Sequence, residues 1–154
     1  MDSIAGRYAE HNVGAVFVYT NEAHPGEYYP HLTSLEQKMR HAHALKEVLS
    51  INRPILVDSL DGTCHRAYGS MPNMSWIFNS AGVPVYKADW TDAASIENAL
   101  QFFVGIAQQR QAGNIMAPFR VERLDYRIQD RPAFYKGLER NGPKAVREFR
   151  EAFG

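Results

Sequence analysis

A single cysteine, Cys64, in 154 residues excludes an internal disulfide and a two-thiol redox motif within the chain, and it fits a reducing compartment. An excess of one charge sign is equally missing. Lys+Arg and Asp+Glu both number 17, so no net field draws the protein toward nucleic acid or an anionic membrane surface. No apolar run approaches the roughly 20 residues that a membrane helix needs, and the polar start Met1-Asp2-Ser3 does not read as a signal peptide. Internal repeats and low-complexity linkers are absent too. What is present is a chain 45% hydrophobic, enough for one good core. The expectation is a cytoplasmic globular protein with neither nucleic acid nor membrane as partner.

The apolar pattern orders the elements. Residues 3–11 read as the end of a helix that runs into a nearly all-apolar strand over 13–19 (Val13, Ala15, Val16, Phe17, Val18), as expected of a strand covered on both faces. Thr33 and Glu36 have capping-box spacing, and Leu32, Leu35, Met39, Ala42, Leu45 and Leu49 follow at helical intervals. A short buried strand is predicted over 54–58, and a helical turn over 61–69. Strands over 74–78 and 83–87 flank Asn79-Ser80-Ala81-Gly82 and read as a hairpin. Thr91 or Asp92 caps a helix whose Ile96, Ala99, Leu100, Phe103, Val104 and Ala107 share a face, ending near Gly113. The chain then turns basic and aromatic. Pro132 and Pro143 are placed as first residues of two short helices, with Asn141-Gly142 closing the former. Domain boundaries are set at 1–113 for an α/β domain and 114–154 for a C-terminal extension packing on that domain or on a partner subunit.

Chemistry concentrates where the first strand ends, as it does in α/β proteins generally. Tyr19, Glu22 and His24 follow one another there. A carboxylate beside an imidazole raises its basicity and holds one tautomer, which suits proton transfer near neutral pH. The plainer reading gives Glu22 backbone amides to cap and His24-Pro25 a turn to shape. Cys64-His65 invites a nucleophile reading, but adjacent residues on a helical turn diverge by about 100°, so an unreactive small cysteine is expected. His41 and His43 are two apart, short of the four-residue spacing of helical zinc pairs, and are expected to be solvated. No metal and no cofactor is expected; the alternative is a metal held by His24, His31 and His65. Tyr28-Tyr29, Trp76 and Trp90 are candidates for an aromatic wall, or for ordinary packing.

This element order, with Val-Tyr-x-x-Glu-Ala-His-Pro at 18–25, Val-Asp-x-x-Asp at 57–61 and Ala-Tyr-Gly-x-x-Pro at 67–72, resembles the iodothyronine deiodinase family over about residues 5–105. The resemblance implies a thioredoxin-like sheet, substrate-binding and proton-delivery roles at the positions of Tyr19, Glu22 and His24, and at Pro72 the cis-proline that faces the active site. The family's selenocysteine or cysteine, on a βα unit expected before residue 5, has no counterpart in this sequence. That unit carries the central strand, so either the strands over 13–19 and 74–78 pair directly or another segment fills the slot. Phe119, Val121, Leu124, Tyr126 and Ile128 alternate in two phases, as a bulged strand would. The leading expectation is therefore a thioredoxin-like α/β fold without its redox unit, plus a helical extension. It would serve as a homodimeric enzyme acting on an aromatic or apolar small molecule through Glu22, His24 and Tyr19, with Met71, Pro72, Tyr28 and Trp76 lining the substrate site. The alternatives are a thiol oxidoreductase using Cys64 or a thiol from another chain, and a non-catalytic binding or assembly subunit.

Overall fold

The computed structural model describes residues 1–69, 71–113 and 130–153. Their elements are α1 (Asp2–Ala9), β1 (Phe17–Tyr19), α2 (Leu35–Val48), β2 (Ile55–Val57), α3 (Thr63–Tyr68), β3 (Ser75–Phe78), β4 (Pro84–Ala88), α4 (Ala93–Gln111), α5 (Arg131–Asn141) and α6 (Pro143–Phe153). The fold is mixed α/β. Contacts gather the described residues into two compact units, Met1–Ala15 with residues 73–113 and Val16–Pro72 with residues 130–153. In this grouping α5 and α6 of the expected C-terminal extension cluster with β1 and β2. The expected bulged strand over 119–128 lies outside the described residues.

The first unit is a helix pair with a hairpin. Apolar residues four apart on α4 put Ile96 and Leu100 against Ile4 of α1, and Tyr8, Val13, Ile77 and Tyr86 close the cluster. Asp92, one of the two expected caps, accepts the Ser95 N–H at 2.8 Å. The antiparallel β3–β4 hairpin pairs Ser75 with Ala88 and Trp76 with Lys87. Its turn forms because the Asn79 side-chain oxygen accepts the N–H groups of Ala81 and Val83, each at 3.0 Å, the local bonding that makes Asn a turn residue.

In the second unit β1 and β2 run parallel, with Phe17 opposite Ile55 and Tyr19 opposite Val57. The Asp58 N–H extends the ladder to the Tyr19 carbonyl at 3.0 Å, so both strands end together at Tyr19 and Asp58. β1 is shorter than the expected 13–19. The helix cap is also displaced by one residue. Ser34, not Thr33, accepts the Gln37 N–H at 3.1 Å, and Gln37 Oε1 reaches back to the Thr33 N–H at 2.8 Å. The buried face of α2 is displaced likewise: Lys38, His41 and Ala42 are buried, while Leu35, Met39 and Leu49 are about half exposed.

α5 opens on an Asp130 cap that accepts the Ala133 N–H at 3.0 Å; Pro132 is its second residue, not its first, and Pro143 opens α6. Leu138 and Ala145 bury this helix pair. Where it meets the loop after β1 the two backbones cross closely. The Tyr28 N–H donates to the Asn141 carbonyl at 3.1 Å, Asn141 Nδ2 donates to the His24 carbonyl at 2.6 Å, and the Glu27 carboxylate accepts the Lys144 N–H at 2.9 Å. A side chain at Gly26 would strike the Asn141 carbonyl, and one at Gly142, whose φ is +112°, would strike Glu27. Only glycine fits either position.

The described strands form two separate two-stranded sheets, without direct pairing of the strands at 13–19 and 74–78. Every peptide bond among the described residues is trans, so Pro72 does not adopt the cis form that the resemblance implies. No helix among them is long and apolar enough to cross a membrane.

Candidate active site

Two cavities of the second unit flank the loop that leaves β1. Strand alternation turns Val18 outward and Tyr19 inward. Three residues on, the chain brings Glu22 back beneath the Tyr19 ring, and the Tyr19 hydroxyl donates to Glu22 Oε1. The same oxygen lies 3.1 Å from His41 Nδ1. His41 is 8% exposed, and the edge of the Tyr29 ring packs on it at 5.1 Å and 82°. Tyr19, Glu22, Tyr29 and His41 wall a cavity of about 240 Å³, which Leu45 and Val48 of α2, its cap residue Leu49, and Arg140 and Asn141 of α5 complete.

The electrostatics follow from burial. A carboxylate taken out of water needs donors, and Glu22 has two. Burial, then the bond to Glu22 and its charge, drive the Tyr19 hydroxyl well above the ordinary tyrosine range, so it remains a protonated donor across the physiological range. Because a carboxylate only accepts, the proton between His41 and Glu22 sits on Nδ1, which turns Nε2 away from Glu22.

His24 stands elsewhere. Its ring meets Phe134 at 5.7 Å and Phe149 at 5.5 Å, both edge to face, and burial lowers its basicity. With Ala23, Pro25, Glu148 and Phe153 it lines the second cavity, of about 190 Å³. Glu22 and His24 therefore face different cavities: residues two apart in extended chain would share a face, but the chain bends at Ala23 and His24 and turns them apart.

The other sequence candidates disperse. The Tyr28 ring is 68% exposed and only its backbone is engaged. The Met71 carbonyl accepts from His65 Nε2 at 3.0 Å, and Pro72 is exposed; neither lines either cavity. Trp76 belongs to the first unit, stacked on Phe78 at 6.2 Å beneath the Lys87 ammonium. Cys64 is half-buried, and its N–H donates to Asp58 Oδ1 at 2.9 Å. Among the described residues no three His, Cys, Asp or Glu side chains gather as a metal site.

Two further buried polar residues, Asp58 and Lys38, are not among the candidate site residues. Asp58, 6% exposed, ends β2 and accepts the Cys64 and His65 N–H groups of α3, each at 2.9 Å. Burial pushes its carboxyl up, but the backbone donors of His65, Cys64 and Ser59 and the Lys38 charge outweigh it and leave it below the usual range. Lys38, 1% exposed, gives its ammonium to the Ser59 carbonyl at 2.7 Å; burial lowers its basicity against the pull of Asp58 and Asp61. The signal for His41 was available. Lys38, His41, Ala42 and Leu45 stand at i, i+3, i+4 and i+7 and form a stripe as regular as the apolar one, but a rule that counts only apolar residues passes over it. His41 is thus not the solvated residue that its two-residue spacing from His43 implied.

Compared with protein-family models, with curated proteins and with solved structures, the chain has no match.

Proposed function

We propose that the protein is a small enzyme that performs proton-transfer chemistry on an aromatic or otherwise apolar small molecule, with His41 as the proton-transferring group, Glu22 as the carboxylate that orients it and Tyr19 as the donor that holds Glu22. The observation that carries this reading is the single Glu22 oxygen shared by the Tyr19 hydroxyl and, at 3.1 Å, His41 Nδ1 in the wall of a cavity. A carboxylate on Nδ1 fixes the tautomer, aims the ring and stabilises the imidazolium that forms when Nε2 takes a proton. Tyr19, kept protonated, prevents Glu22 from turning away and from taking the proton itself. Leu45, Val48 and Leu49 supply the apolar surface that a small organic body would fill. An engineered cavity of about 150 Å³ holds benzene. At about 240 Å³ this cavity suits a ligand of roughly ten non-hydrogen atoms.

The deiodinase-like resemblance joins this proposal through the segment 18–25, which supplies Tyr19 and Glu22, and a thioredoxin-like descent of the α/β layout is proposed with it. His24 enters as a packing residue, because aromatic edges surround its ring. The test is turnover, screened over aryl and alkyl compounds of that size. His41→Asn and Glu22→Gln should each lose roughly 100- to 10,000-fold in rate, with the double variant little worse than either, because groups acting as a unit are not additive. His24→Asn should stay within a few-fold of wild type. Full turnover in His41→Asn would overturn the reading.

A further inference from the structure

We infer that the substrate is a small apolar monocarboxylate, its acid group seated on the Arg140 guanidinium and its hydrocarbon body on Leu45, Val48 and Leu49. This rests on the proposed working pair of His41 and Glu22, and it adds what the cavity recognises. Arg140 supplies the cationic side chain in the wall, and it makes no ion pair among the described residues. Asn141 beside it is neutral and already tied to the loop, with Nδ2 donating to the His24 carbonyl and its backbone carbonyl accepting the Tyr28 N–H. The Glu22 oxygen is occupied by Tyr19 and His41, so its charge is already met from within the protein. Beside the His41 ring, what is left to hold an anion in this lining is the exposed Arg140 side chain next to the apolar residues, and a guanidinium fork matches a carboxylate bidentately.

The charge of the ligand follows from the neighbourhood of Arg140. It stands in the last turn of α5, one residue before Asn141, where the helix ends. The carbonyls there carry the negative end of the helix dipole, which offsets part of the guanidinium's attraction and disfavours a phosphate dianion, a ligand that calls for several donors. One cation at a helix C-terminus suits one negative charge. The apolar side of the site is open to a ligand: Val48, the last residue of α2, is 55% exposed and its cap residue Leu49 is 49% exposed, and both are in the cavity wall.

The probes are phenylacetate and octanoate, which have the predicted size, against phenylacetamide and octanamide, which keep the shape and lose the charge. Binding to the full chain is followed by amide chemical-shift titration. Wild type should bind the acids at least about tenfold more tightly than the amides. Arg140→Gln should erase that preference without weakening the amides, and Arg140→Lys, which keeps the charge but not the fork, should retain part of it. An unchanged spectrum outside the cavity confirms that each variant is folded. Equal binding of acids and amides by wild type, an acid preference that survives in Arg140→Gln, or no saturable binding of either acid below about 10 mM would each overturn the assignment. The two readings fail separately. Loss of turnover in His41→Asn without an acid preference sinks the carboxylate and spares the catalytic pair; an acid preference carried by Arg140 with full turnover in His41→Asn does the reverse.

Discussion

Among the described residues, the unit of α1, the hairpin and α4 buries Ile4, Ile96, Ala99 and Leu100, whereas the unit of β1, β2 and α2 buries Lys38, His41 and Asp58 alongside its apolar core. The first unit keeps its charge outside: Arg7 meets Glu97 at 2.5 Å with both side chains well exposed, a contact of the kind that contributes at most about 1 kcal/mol. Burying charge costs several kcal/mol unless partners are supplied. The second unit supplies each one, a carbonyl for Lys38, two amides for Asp58 and a carboxylate for His41. A fold that needed only stability would fill those positions with leucine. Buried charged residues confined to one unit are the reason for seating the proposed site there, and the same contrast says which substitutions should damage the two units differently.

The largest effect on stability is expected at the backbone crossing. Gly26→Ala places a methyl on the Asn141 carbonyl, and Gly142→Ala combines a clash with Glu27 and a positive φ. Each should lower stability by about 2 kcal/mol or more in thermal or urea unfolding, while Gly105→Ala in the first unit, where a Cβ meets nothing within 4 Å, should be neutral to slightly stabilising. Equal effects at the three positions would contradict the close crossing.

Next comes Asp58→Ala, which removes the acceptor for two amides of α3 and should cost about 1–3 kcal/mol at pH 7. Its carboxyl is held below the ordinary aspartate value of 3.8 in the folded state. Its stabilisation is therefore present above pH 3.8 and lost as pH falls through the lower folded value. The gap between wild type and Asp58→Ala should close over that acid range. Lys38 has the opposite profile. Its folded value lies below 10.5, so the burial penalty is relieved as pH rises from the folded value toward 10.5, and wild type should gain stability relative to Lys38→Met over that range.

Much of this layout was legible in the sequence. The hairpin turn, the Asp92 cap, the Ile96–Leu100 face and the Asn141-Gly142 helix end depend on local rules, and local rules hold where neighbours in sequence decide the structure. Tyr19 and Glu22 were legible because strand ends concentrate chemistry. The imidazole on Glu22 was not. His24 is near it in sequence and His41 near it in space, and only the packing of α2 on β2 distinguishes them. The one-residue rotation of the α2 face has the same origin: Leu35, Met39 and Leu49 look like core by hydrophobicity, yet buried Lys38 and His41 have partners at the strand ends that a hydrophobic count does not register.

The smallest effect should come from Cys64→Ser. A half-buried thiol engaged only through its backbone N–H should cost no more than about 1 kcal/mol and leave turnover within a few-fold. A loss of a hundredfold would move the chemistry to the thiol.

The central claim, that Glu22 works on His41 and not on His24, is tested without a substrate by nitrogen-15 chemical shifts of the histidine rings in wild type and Glu22→Gln. Wild-type His41 should be the tautomer protonated at Nδ1, since Nδ1 lies 3.1 Å from the Glu22 carboxylate, and Glu22→Gln should change its tautomer balance while the His24 ring, packed on Phe134 and Phe149, keeps its shifts. A His24 ring that responds to Glu22→Gln while His41 does not would contradict the account.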